Sequence, residues 1–107
     1  MSKEMFCGTR RYERISLPTG MFVAWYGGGE QGVSRVKTLG MRGLFISGCD
    51  APVGANLRLV FEVPGGSVHA EGIVRNVAPG EGAGCEFTKM ASRDRVLLER
   101  LLRRLLR

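Results

Sequence analysis

The sequence predicts an all-β domain, an antiparallel barrel or sandwich, followed by one C-terminal α-helix. Three observations carry that expectation. Glycine supplies 16 of 107 residues, and glycine and proline fall between short apolar runs, where they turn the chain. Those runs are rich in β-branched and aromatic residues, and the clearest of them alternates with the period of a strand. The last sixteen residues change character, with leucines at helical spacing among six arginines.

The elements follow in order. Residues 1–14 are short of apolar side chains and form an arm ahead of the folded part. Met21 to Tyr26 is a β-prone run between Pro18-Thr19-Gly20 and Gly27-Gly28-Gly29. The glycine stretch from Gly27 to Gly32 reads as a flexible hairpin loop, since it has neither the Lys-Ser/Thr of a phosphate loop nor a helix after it. Val33–Lys37 resumes as a strand, and Gly40-Met41-Arg42 turns the chain into Gly43–Ile46. Leu57, Leu59, Phe61 and Val63 then share one face of a strand. Pro64-Gly65-Gly66 leads into Val68–Val74, with a bulge expected to reset the phase at Gly72. Pro79 to Gly82 is another turn before the short strand Gly84–Phe87.

In the tail, Ser92 is the expected N-cap, Asp94 suits the positive helix start and arginines crowd the negative end. Leu98, Leu101, Leu102 and Leu105 line one face, and Leu97 and Leu106 widen it. The expected role is a lid on the barrel, with a partner or dimer face as the alternative for the surplus leucines. Residues 1–14, 15–91 and 92–107 are thus arm, barrel and helix of one domain, as the length allows.

Bulk composition excludes several classes. Hydrophobic content of 44% with 24% charged residues is that of a globular protein. Cys7, Cys49 and Cys85 are isolated and odd in number, which argues against a disulfide framework or a zinc site and fits a reducing cytoplasm. No apolar run has the length of a membrane span. His69 assembles no catalytic set and reads as a strand-surface residue sharing its face with Glu71. Trp25 and Tyr26 must face opposite ways, and Cys85 reads as core. No metal site, cofactor or enzymatic activity is expected. The formal net charge is +6, a field that attracts phosphates, nucleic acid or acidic partners without choosing among them.

The sharpest functional feature is Arg10-Arg11-Tyr12-Glu13-Arg14, three guanidiniums within five residues just ahead of the first strand. Arginine's planar fork pairs bidentately with phosphate or with the O6/N7 edge of guanine, and it stacks on bases. An anion or nucleotide clamp is one reading; a solvated basic arm is the other.

With that arm, the chain resembles the PilZ domain family. Thr9 to Ile15 is similar to the family's Arg-x-x-x-Arg arm. Thr38-Leu39-Gly40-Met41-Arg42-Gly43-Leu44-Phe45-Ile46 aligns with its second motif, Asp/Asn-x-Ser-x-x-Gly running into a strand. Leu57 to Pro64 resembles the central strand, and Ala83 to Phe87 the Gly-x-x-Phe strand before the terminal helix. The resemblance implies a six-stranded antiparallel β-barrel with a C-terminal helix. It also implies a cytoplasmic receptor or adaptor for the second messenger cyclic di-GMP, acting on a protein partner. Arg10 and Arg14 would grip guanine edges and phosphates, Arg11 would stack or add charge, and Thr38, Gly40 and Gly43 would complete the site.

Thr38 stands where the family has Asp or Asn, and Gly40 where it has Ser; Gly43 is kept. Losing one charged and one neutral hydrogen bond costs roughly 2–4 kcal/mol if nothing replaces them, roughly 30- to 1,000-fold in affinity. Arg35, Lys37 and Arg42 lie near enough in sequence to restore part of it through phosphate contacts. The competing expectations are an interaction module that has lost nucleotide binding, working through its barrel face and Leu/Arg-rich helix, and a basic barrel for single-stranded nucleic acid.

Overall fold

In the computed structural model, which describes Ile15–Ser16 and residues 20–106, the inward positions of each strand hold side chains that gain from leaving water. The chain runs β1 (Ile15–Ser16), β2 (Phe22–Gly27), β3 (Glu30–Leu39), β4 (Gly43–Ser47), β5 (Asn56–Val63), β6 (Gly66–Ala78), β7 (Gly82–Met90) and α1 (Ser92–Leu105). Strands β3, β2, β5, β6, β7 and β4 follow one another around the sheet, and β4 pairs again with β3. Six antiparallel strands therefore close into a barrel, which decides between barrel and sandwich. The short β1 lies end to end with β2 along one edge of β3, with Ile15 opposite Leu39 and Ser16 opposite Thr38.

The alternation read in the sequence is the alternation of burial. Leu57, Leu59, Phe61 and Val63 all point inward, where each fully buried side chain contributes about 1.5–3 kcal/mol. Val23, Trp25, Val36, Leu39, Leu44, Ile46, Val68, Val74 and Cys85 complete that interior. Trp25 is buried and donates its indole N–H to Ser34 Oγ at 3.1 Å, while Tyr26 faces out.

Several local expectations change. The stretch Gly27 to Gly32 is not a loose loop. Only Gly28 and Gly29 form the turn, at φ 63° and 82°, the left-handed geometry that matches strand twist and suits glycine. Gln31 and Gly32 already belong to β3, and Gly32 gives room to Trp25, whose ring carbon Cζ2 would stand 2.9 Å from an added Cβ. Strands β3, β6 and β7 run further than the apolar runs, because pairing continues wherever a partner strand is present.

The β6–β7 register does shift at Glu71/Gly72, but the extra residue is Thr88 on β7. Val68, Ala70, Gly72 and Val74 therefore keep facing inward. The phase of β6 changes instead at Arg75, the extra residue of a second shift between Val74 and Asn76.

Ser92 is the first helical residue rather than the cap. Strand β7 stays paired through Met90 opposite Ala70, so only Ala91 remains to make the corner, in extended geometry and without a side-chain cap. The helix lies over the barrel as a lid. Leu98 and Leu102 enter the core, with Leu97 and Leu101 packed against it, and Leu97 also meets the β5–β6 turn at Gly65 and Gly66. Antiparallel order puts the start of α1 and the β3–β4 turn at the same end.

Two substitutions test this packing. Leu98→Ala should destabilise the fold by about 2–5 kcal/mol, read as a lowered urea midpoint. Gly72→Ala should cost about 1–3 kcal/mol, since its Cβ would stand 2.6 Å from Cys85 Sγ and 2.8 Å from the Glu86 carbonyl oxygen. Gly84→Ala, which meets only the movable carboxamide of Asn76, should cost far less.

Candidate functional site

The second motif occupies the turn between β3 and β4, and backbone bonds hold it from two sides. The Gly40 N–H donates to the Gly43 carbonyl at 2.9 Å, closing the turn. The Phe87 N–H of β7 donates to the Arg42 carbonyl at 2.7 Å, fastening the turn to the next strand. Leu39 and Leu44, on either side of it, are fully buried. Gly40 and Gly43 are buried in the turn and Thr38 is half-buried beside it. A register shift makes Lys37 an extra residue in β3, so Val36 and Leu39 both point inward and Thr38 stands between them.

Arg10, Arg11 and Arg14 lie outside the described residues. Strand β1 starts one position after Arg14, and Ser16 pairs with Thr38. The chain thus joins the barrel beside the second motif, and Thr38, Gly40 and Gly43 are brought together.

Next to the turn is a charged cluster that the sequence does not announce. Glu86 of β7 accepts from Arg75 Nε of β6 at 2.7 Å and from Arg42 Nη2 at 3.3 Å. The bond from Arg75, then that from Arg42, holds the Glu86 carboxyl below the usual glutamate range. Arg75 and Arg42 lie 11 and 44 positions from Glu86, so no local pattern could show that they meet; only the β6–β7 and β4–β7 registers bring them together. Of the other basic residues near the motif, Lys37 lies 3.9 Å from Glu81 and 5.9 Å from the centre of the Phe45 ring. That ion pair is well exposed and contributes little. Arg35 is exposed opposite Phe22.

The remaining candidates fall into place. His69 and Glu71 are exposed on β6, and Cys85 is fully buried. Burial is also the main reason that the Cys49 thiol titrates above its usual range. Among the described residues no group of His, Cys, Asp or Glu has the arrangement to hold a metal, and no helix is long and apolar enough to cross a membrane.

The Glu86 cluster gives a pH prediction with a defined sign. Its carboxylate is favoured in the folded state, so protonation favours unfolding. The stabilisation is complete above the ordinary value of 4.5 and is lost as pH falls through the lower folded value. Melting temperatures from pH 7 to pH 3 should show an acid loss in the wild type that Glu86→Gln lacks; parallel profiles would show that the cluster adds no such stability.

Comparison with known proteins agrees with this geometry. The Bacillus subtilis inhibitor of motility MotI/DgrA superposes with a TM-score of 0.72 at 22% identity, over 91% of this chain and 51% of that one. MrkH, described as a c-di-GMP-dependent transcription regulatory factor, gives 0.69 at 18% identity, again over 91% and 51%. The chain therefore spans about half the length of these two proteins, and the likeness is one of fold. No curated protein matches the chain. The PilZ domain matches residues 8–104, from the arginine arm to the last turns of the helix, and the chain belongs to the PilZ domain family.

Proposed function

We propose that this protein is a cytoplasmic PilZ-type receptor for cyclic di-GMP that presents an altered surface to a protein partner when the nucleotide is bound. The observation that carries the reading is the pairing of Ser16 with Thr38, because it ties the arginine-bearing arm to the second motif. Arg10 and Arg14 grip guanine edges and phosphates, and Arg11 stacks or adds charge. Thr38, Gly40 and Gly43 form the barrel side of the site. Charge-assisted bonds to two phosphates supply the strength.

A second reading has one specific observation in its favour. Thr38 and Gly40 replace the amide or carboxylate and the hydroxyl of the family motif, and buried Gly40 brings no side chain in their place. In that reading the domain binds a protein partner without nucleotide. The helix offers it less apolar surface than its leucine content implies, since Leu98 and Leu102 are spent on the core and Val96 and Leu106 are what it exposes.

Isothermal titration with cyclic di-GMP separates the two. The receptor reading expects micromolar or tighter binding that the Arg10→Ala/Arg14→Ala double variant loses. No heat at high ligand concentration would contradict it and favour the interaction module.

A further inference from the structure

The second motif is one end of a longer row. Thr38 opposes Phe45, Phe45 opposes Gly84, and Gly84 opposes Asn76, so four residues stand in register across β3, β4, β7 and β6. Leu44, Ile46, Ala83 and Cys85 on either side point into the core; Phe45 and Gly84 therefore face outward. Strand spacing puts the two ends of the row about 14 Å apart. Gly84 has no side chain, and the space that its Cβ would fill is occupied by the Asn76 carboxamide, which lies across β7 toward Phe45.

Arg75 precedes Asn76 as the extra residue of the β6 bulge, a feature that re-aims side chains and recurs beside binding sites. Its Nε is held by Glu86 at 2.7 Å. The two Nη groups, and the exposed carboxamide of Asn76, have no hydrogen-bond partner among the described residues. An arginine gripped by one edge, beside an unengaged amide over a bare glycine, is a surface prepared for a ligand.

We propose that Arg75 and Asn76 form a further contact for the purine dinucleotide, Asn76 presenting its carboxamide to a guanine edge and Arg75 its Nη edge to a phosphate. This rests on the cyclic di-GMP reading above and deepens it. A carboxamide offers one acceptor and two donors, which match the N1–H and O6 of guanine. A guanidinium meets a phosphate in a bidentate, charge-assisted pair. Glu86 is a positioning residue: it fixes Arg75 by its Nε, and between Arg42 and Arg75 it leaves the cluster one positive charge in excess.

The test is isothermal titration of cyclic di-GMP into the full chain and into Arg75→Ala, Asn76→Ala and Arg58→Ala. Arg58 is exposed on β5, the neighbour of β6, opposite Glu71 and four positions along from Arg75, and controls for net charge. Asn76→Ala and Arg58→Ala should melt as the wild type does; Arg75→Ala gives up its bond to Glu86 and should melt slightly lower, so all titrations are run well below the melting transition. Arg75→Ala and Asn76→Ala should each weaken binding by about tenfold or more, with Arg58→Ala within about twofold of wild type. Wild-type affinity in either variant would overturn the contact and leave the receptor reading intact. An equal loss in Arg58→Ala would reduce the effect to net charge and also overturn it. A wild-type protein that gives no heat at millimolar ligand would remove the receptor reading and this contact with it.

Discussion

Closure of the sheet depends on β4, a five-residue strand that hydrogen-bonds to β3 on one side and β7 on the other. Without it β3 and β7 would be open edges, each with a row of unpaired backbone groups. Because β4 is so short, the turn that leads into it has little freedom. Gly40 and Gly43 close that turn, and the Phe87 N–H fastens it from the next strand. The same bonds that close the barrel therefore fix the second motif, lay Phe45 and Gly84 side by side on the outer face, and bring Arg42 within reach of Glu86. Fold and candidate site share one set of constraints.

Electrostatics adds a second layer. The cations are distributed over the arm, the cluster around Glu86 and the helix, with four of the six net charges in residues 92–107. The helix arginines sit on an exposed face, where Arg103 pairs with Glu99 at 3.0 Å and the energetic return is small. Around the second motif Arg75 and Arg42 share one carboxylate, while the contact of Lys37 with Glu81, at 3.9 Å, is an exposed one. Guanidiniums held in place lose less entropy on meeting an anion than free ones do, which under the proposed reading favours Arg75, held through its Nε, as a phosphate contact.

Much of this was legible in the chain. Leu57 to Val63 shows its inward face by simple alternation, and the arm and second motif carry the family resemblance. Other features were hidden for definite reasons. Gly27 to Gly32 resembles a loop by composition, yet tight-turn geometry and the demand of Trp25 for space convert most of it into strand. The bulge was expected at Gly72, but which strand receives the extra residue is decided by the pairing partner, and Gly72 itself stays in phase because its neighbours in β6 are needed in the core. Ser92 has the chemistry of a cap, but β7 uses the chain up to Met90 and leaves the corner to Ala91. Arg75, Asn76 and Glu86 were invisible as a site because their proximity comes from strand register, which no local pattern encodes.

The most direct test of the account is a backbone amide chemical-shift map of the full chain with and without cyclic di-GMP. The account predicts the largest changes at residues 38–43 of the turn, at Arg75 and Asn76, and along Gly84 to Glu86, with residues 96–104 of the helix nearly unmoved. Changes confined to the helix, or none at saturating ligand, would contradict the claim that the β3–β4–β7–β6 face of the barrel is the ligand surface.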